Sequence, residues 1–276
     1  MPVTGNKTFH PLSLSIRLYA DGFSFFVCNL QAGSLIRGEH FRLEDGQSIA
    51  SRLAKELGRP DYFNRQIDQV FVLVCSPSTR VPLEAFRREE ADSLYELTFA
   101  QLDMKTLRVG YNILPHLEVV ELYSISHYVE EAILQFYPTA RFFGSRAMLL
   151  ERLLRFDEEA TDSGACLYVC AEDEAYTLVA FDKGRLRFAN TFLVASETDA
   201  LYYILSVWKR LDMDAIADRL VFIQSHSASD TSLPESARSY IRNVDTPSVA
   251  TLFSNVALAR EREVPLDLMA LLLNRL

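Results

Sequence analysis

The chain has 276 residues, 49% of them apolar and 24% charged, with 28 Lys and Arg set against 37 Asp and Glu for a formal net charge of −9. That length suits one large domain or two ordinary ones, with enough buried surface to need no disulfide or metal staple. The acidic surplus opposes a phosphate backbone, and the densest basic pair, Arg87-Arg88, is followed at once by Glu89, Glu90 and Asp92, so no nucleic-acid partner is expected.

Residues 1–11 carry one Lys and no apolar core of signal-peptide length. No stretch approaches the roughly eighteen apolar residues of a membrane helix, and the longest apolar piece, 266–273, contains Asp267. A cytoplasmic location without membrane insertion is the expectation.

From 12 to 19, Leu12, Leu14, Ile16 and Leu18 alternate with Ser13, Ser15, Arg17 and Tyr19, the period of two of a half-buried strand. Asp21-Gly22 separates this strand from the apolar run 23–30, and the pair predicts a hairpin with a type I′ turn, positive φ at both central residues. Gln31-Ala32-Gly33 leads into a third strand, 34–43, completing a meander. Ile49, Leu53 and Leu57 at spacing four predict a helix ended by Gly58 and Pro60. The Val/Phe/Leu run 69–75 has the composition of a buried parallel strand, broken by Ser76-Pro77-Ser78. Residues 82–100 read as helical and 108–125 as one or two strands interrupted at Pro115. A helix follows over 126–137 with Ser126 as N-cap, then a short strand at 141–143 and a helix over 146–156.

The acidic, small-residue stretch 157–164 is the linker candidate. After it the order of elements returns: an apolar strand 165–171, a turn at Glu172-Asp173-Glu174, a strand 175–182, a turn at Lys183-Gly184 and a strand 185–194. Ser196 with Asp199 three residues on is a capping-box pattern, opening a helix whose apolar face is Leu201, Ile204, Leu205, Trp208 and Leu211. Residues 220–223 read as a buried strand, and helices are expected near 234–242 and 265–276. Strand–strand–strand–helix–strand thus occurs twice, offset by about 150 residues. This predicts an internal duplication into halves 1–156 and 165–276, each a mixed sheet flanked by helices.

Three antiparallel strands, a crossover helix and a parallel strand resemble the ribonuclease H-like core, and two tandem copies resemble the actin-like ATPase superfamily of sugar kinases, chaperone ATPases, actin, FtsA and PilM. Leu14-Ser15-Ile16-Arg17-Leu18, Asp21-Gly22-Phe23-Ser24-Phe25 and Val74-Cys75-Ser76-Pro77 also resemble an uncharacterised Bacteroidetes family of unknown function. The resemblance implies an α/β fold of tandem ribonuclease H-like halves. In active members it implies a nucleotide clamped between two hairpin turns, the first of Asp-x-Gly-Thr type. Glycine there lets backbone N–H groups approach phosphate, while the Asp handles Mg²⁺ and water. If nucleotide binds this chain, Asp21, Gly22 and Asp173 are the turn residues that meet it.

Departures from that pattern argue against binding. Asp21 and Gly22 are adjacent rather than separated by one residue, and Phe23 stands where a small hydroxyl residue is expected. Glu172-Asp173-Glu174 offers three carboxylates and no glycine, and like charges about 4 Å apart repel by roughly 4 kcal/mol at an effective dielectric near 20. No Walker A loop and no G-x-G-x-x-G occur. Ribonuclease H chemistry needs an acid within the first strand to hold Mg²⁺, whereas Arg17 is the charge present there.

His10, His40, His116, His127 and His226 show no metal-ligand spacing, and Ser225-His226-Ser227 reads as a polar turn at a strand end. Cys28, Cys75, Cys166 and Cys170 sit in apolar runs without a C-x-x-C pair, the pattern of buried free thiols. No catalytic residue, metal or cofactor is expected. Tyr202 and Tyr203, and Leu268, Leu271, Leu272 and Leu273 of the C-terminal helix, are candidate groove residues. The reading favoured is a non-catalytic actin-like scaffold that binds a protein partner or itself. An ATPase or small-molecule kinase with a remodelled nucleotide site is the alternative.

Overall fold

A computed structural model describes residues 12–59, 67–159, 164–172, 175–224, 232–253, 257–261 and 263–273. The chain divides into two compact units, one built from residues up to 113 with 120–145, the other from 114–119 with 146–275.

In the first unit β1 (Leu12–Tyr19), β2 (Gly22–Asn29) and β3 (Ser34–Arg42) form the meander, followed by helix α1 (Ile49–Leu57) and strand β4 (Ile67–Val74). Strand β5 (Ser78–Pro82), helix α2 (Ala91–Thr98), β6 (Leu107–Leu114) and β7 (Val119–Ser126) come next, then α3 (His127–Phe136) and β8 (Arg141–Gly144). The main sheet has the order β3-β2-β1-β4-β8, antiparallel across its first three strands and parallel from β1 to β8. Alternation places Leu14, Ile16 and Leu18 on the face covered by Leu53 and Leu57 of α1 and Val129 and Ile133 of α3. Strands β5, β7 and β6 make a separate three-stranded sheet, its core closed by Ala91 and Tyr95 of α2.

Two expectations need correction here. The stretch read as helical over 82–100 begins as strand β5 and passes through short 3₁₀ turns before α2 starts at Ala91. Pro82 biases Val81 toward extended backbone, and Phe86 and Arg87 are extended as well, so the helix cannot start earlier. The first hairpin is not a type I′ turn. Its two loop residues are Ala20 and Asp21, neither with positive φ, and Gly22 already lies in β2 opposite Tyr19 and Arg42. Gly22 serves close packing: a Cβ there would stand 2.1 Å from the Phe41 carbonyl oxygen.

In the second unit helix α4 (Ser145–Glu158) precedes β9 (Cys166–Glu172), β10 (Ala175–Asp182) and β11 (Arg185–Leu193). Helix α5 (Glu197–Arg210), β12 (Arg219–Gln224), α6 (Leu233–Arg238) and β13 (Asn243–Asp245) follow, with α7 (Val249–Leu252) and α8 (Leu266–Leu273) last. The sheet order β11-β10-β9-β12-β13 repeats that of the first unit strand for strand, in the same directions. Here positive φ at both loop residues does occur, at Lys183-Gly184, with φ of 52° and 71°. Ser196 caps α5 as its spacing predicts, accepting from the Asp199 N–H at 3.2 Å while its hydroxyl donates to Asp199 Oδ2 at 2.9 Å.

The C-terminal leucines are core rather than groove. Leu268, Leu271 and Leu272 are fully buried in α8, whose residues other than Asp267 are all apolar, and Leu273 at its end is partly buried. Cys28, Cys166 and Cys170 are buried free thiols, whereas Cys75, expected to be buried as well, is partly exposed just past β4; burial pushes the Cys166 thiol up to about 12. Among the described residues no helix is long and apolar enough to cross a membrane.

Candidate functional site

The first hairpin tip sits at the carboxyl end of β1, where Leu18 accepts a hydrogen bond from the Cys75 N–H at 2.8 Å. In open α/β sheets this end of the parallel strands is where ligands bind. Asp21 is exposed, and its carbonyl accepts from the Leu43 N–H at 2.9 Å, which ties the turn to the end of β3. Gly22 is buried in the β-ladder. Phe23, in the place of a hydroxyl residue, has no solvent exposure and stacks on Phe41 with ring centroids 4.9 Å apart. The structure thus keeps Asp21 and Gly22 together at one tip, with Phe23 committed to the core. Asp173 and Glu174 lie outside the described residues, whose nearest pair is Glu172 opposite Ala175.

Behind the tip, Ser24 Oγ lies 2.7 Å from His40 Nδ1, with the Tyr19 hydroxyl 3.4 Å away. A serine beside an imidazole is a nucleophile–base pair, which needs a third group to orient the base. The neighbour of His40 is the Phe26 ring, edge-on at 5.5 Å, which cannot orient an imidazole as a carboxylate does. Ser24 is 1% exposed, so the pair is a satisfied cross-strand contact between β2 and β3.

Beside β4 the polar groups are bonded to one another. Ser76 Oγ accepts from the Ser124 N–H at 3.1 Å, and the Tyr95 hydroxyl donates to the Pro77 carbonyl at 2.8 Å and contacts Ser124 Oγ at 2.9 Å. Glu121 is fully buried, accepts from the Ser78 hydroxyl at 3.0 Å and faces the Arg80 guanidinium at 3.8 Å. Gly144, the last residue of β8, donates its N–H to Asn112 Oδ1 at 2.7 Å, and a Cβ there would come within 2.9 Å of Glu121 Oε2. Burial, and then the charges of Glu130 and Glu121, raise the pKa of the Tyr123 phenol, so it stays neutral.

The bonds of Ser76, Pro77 and Gly144 fasten the three-stranded sheet to the carboxyl end of the main sheet, while those of Glu121 hold β5 and β7 together within it. Sequence reasoning did not single out Glu121, Tyr95, Asn112 or Ser124. The signal available was a lone acid inside the apolar run Val119-Val120-Glu121-Leu122-Tyr123, since a carboxylate in a buried strand needs partners. Among the described residues, no group of three or more His, Cys, Asp or Glu side chains is placed to hold a metal ion.

The chain is similar to a solved protein of unknown function with an actin-like ATPase fold from Bacteroides thetaiotaomicron VPI-5482, at 24% identity and a TM-score of 0.76, covering 97% of this chain and 99% of that one. It is also similar to a chain of the PilM-PilN type IV pilus biogenesis complex, at 10% identity and a TM-score of 0.52, covering 96% of this chain and 99% of that one. At such identities the likeness establishes the fold, which is the actin-like ATPase fold that the element order implied. No curated protein matches the chain. Residues 6–244 match a family described as protein of unknown function, DUF3822, and the chain belongs to that family.

Proposed function

We propose that this protein is a non-catalytic actin-like module, built by duplication of one unit, that assembles with a protein partner. The observation that carries this reading is the first hairpin. A phosphate-wrapping tip needs free backbone N–H groups and a small residue beside them. Here the tip is a minimal two-residue loop, its glycine is pressed against the Phe41 carbonyl within the β2–β3 ladder, and the following side chain is the buried Phe23. The matched strand orders of the two sheets support duplication. The likeness to a chain of the PilM-PilN complex supports a partner-binding role, since that protein carries the same fold within an assembly.

Calorimetric titration of the full chain with ATP and with ADP in the presence of Mg²⁺ should give only the heat of dilution. Micromolar binding would overturn the reading. Phosphate release that disappears in Asp21→Ala would establish the remodelled ATPase or kinase in its place.

A further inference from the structure

A second polar constellation lies at the amino ends of β9 and β12, the end of that sheet opposite the turn between β9 and β10. There the hairpin joining β10 to β11 and the residues that follow α5 border an open cavity of about 280 Å³. Ligand cavities begin at about 300 Å³, so this one suits a molecule of amino-acid size. Ala180, Phe181, Leu211 and Met213 give it an apolar floor, and Leu211 and Met213 pack against the core of the second unit. Tyr202 and Tyr203, expected at a groove, do not line it: Tyr202 is 66% exposed and Tyr203 stacks on Phe192 at 4.5 Å.

Of the charged side chains that line the cavity, Asp182, Arg187 and Asp218 are already held. The Arg187 guanidinium donates to Asp182 Oδ2 at 3.1 Å, and Asp218 accepts from the Ala165 N–H at 2.9 Å and the Asp214 N–H at 2.7 Å. Among the described residues, the side chains of Lys183 and Asp212 have no hydrogen-bond or ion-pair partner. Both residues have a φ of 52°, in the left-handed region that glycine occupies without strain. Lys183 opens a two-residue hairpin loop, where Asn, Asp and Gly are the usual residues. Asp212 stands just past α5 in the place of the usual terminating glycine, with the Met213 N–H donating to the Trp208 carbonyl at 3.1 Å. Glycine would serve the backbone at least as well at both positions, so folding does not explain the two charges.

We propose that this cavity binds a free amino acid with an apolar side chain. Lys183 takes the carboxylate, Asp212 takes the ammonium group, and the side chain rests on the floor of Ala180, Phe181, Leu211 and Met213. Opposite charges without partners on one small cavity select a zwitterion. A simple anion would gain Lys183 and meet Asp212, and a simple amine would do the reverse. A polar side chain would lie against the floor without a partner, which favours an apolar one. The site goes beyond the assembly reading and uses none of the first-hairpin residues on which that reading rests, so either can fail alone.

Calorimetric titration of the full chain with leucine, methionine and phenylalanine should show saturable binding of at least one of them. The amide of that amino acid lacks the carboxylate, and its N-acetyl form lacks the ammonium group. Each should bind about tenfold more weakly, the loss of one charge-assisted hydrogen bond. Asparagine tolerates left-handed backbone, so Lys183→Asn and Asp212→Asn should keep the melting temperature and each weaken the amino acid by a similar factor. In Lys183→Asn the amide should bind as well as the amino acid does, and in Asp212→Asn the N-acetyl form should. If a variant fails to fold, the two blocked forms on the wild-type chain decide the matter. Absence of binding by all three amino acids, blocked forms that bind as tightly as the free one, or folded variants that leave the affinity unchanged would each overturn the proposal.

Discussion

Replacing Gly22 by alanine places a methyl group 2.1 Å from the carbonyl oxygen of Phe41. Ordinary van der Waals contact lies above about 3.2 Å, so roughly an ångström of separation has to be found between β2 and β3. The obstacle is backbone, so no side chain can rotate aside. Moving β3 disturbs the pairing of Gly22 with Arg42 and the bond from the Leu43 N–H to the Asp21 carbonyl. Overpacking of a filled site costs about 1–3 kcal/mol, and a clash with a ladder carbonyl belongs at the upper end, about 3 kcal/mol. That is a large share of the ~5–15 kcal/mol that stabilises a typical domain. Urea unfolding followed by circular dichroism measures it. Gly184→Ala is the internal comparison: φ there is 71° with nothing within 4 Å of the new Cβ, so it should cost about 1 kcal/mol from backbone strain alone. If Gly22→Ala costs no more than Gly184→Ala, Gly22 is not held by strand packing and the reasoning fails.

Glu121→Ala removes the acceptor of the Ser78 hydroxyl and the carboxylate facing Arg80, and should destabilise the chain by about 3 kcal/mol in the same assay; a loss under about 1 kcal/mol would show that this buried carboxylate does not hold β5 against β7. Asp157, whose carboxylate accepts from the Tyr168 hydroxyl at 2.8 Å, is raised above its ordinary value of 3.8 by burial, an effect that this hydrogen bond only partly offsets. The folded chain therefore holds this proton more tightly than the unfolded chain. The stability that protonation contributes is fully present below the ordinary carboxyl range and is lost as pH rises through the raised value. An Asp157→Asn variant keeps an acceptor for the Tyr168 hydroxyl and loses the titration. Its melting temperature should gain on that of the wild type from pH 4 to pH 7, and a difference independent of pH contradicts the assignment.

Much of the architecture was legible because it rests on local periodicity. The alternation in Leu12–Tyr19, the spacing of Ile49, Leu53 and Leu57, and the Ser196–Asp199 cap are each determined by residues near one another in the chain, and each became the element its pattern predicts. What the pattern could not supply were tertiary facts. Asp21-Gly22 carries the composition of a type I′ turn, yet the glycine is held by a neighbouring strand about twenty residues on, a contact that no local signal encodes. At Lys183-Gly184, read from the sequence only as a turn, both residues take positive φ and nothing crowds the turn glycine. Leu268, Leu271 and Leu272 have the same sequence signature in a groove as in a core, and only burial separates the two. Glu121 shows in sequence only as an interruption of an apolar run, because Ser78, Arg80 and Gly144 reach it through the fold.

The central claim is that the first hairpin tip does not hold a polyphosphate, and thermal unfolding in the presence of nucleotide tests it most directly. A ligand present at a hundred times its dissociation constant stabilises the folded state by about 2.7 kcal/mol, enough to raise the melting temperature of a chain this size by about 5 °C. Millimolar ATP with Mg²⁺ should leave the melting temperature where it stands with Mg²⁺ alone. A rise of that size, abolished by Asp21→Ala, would contradict the account.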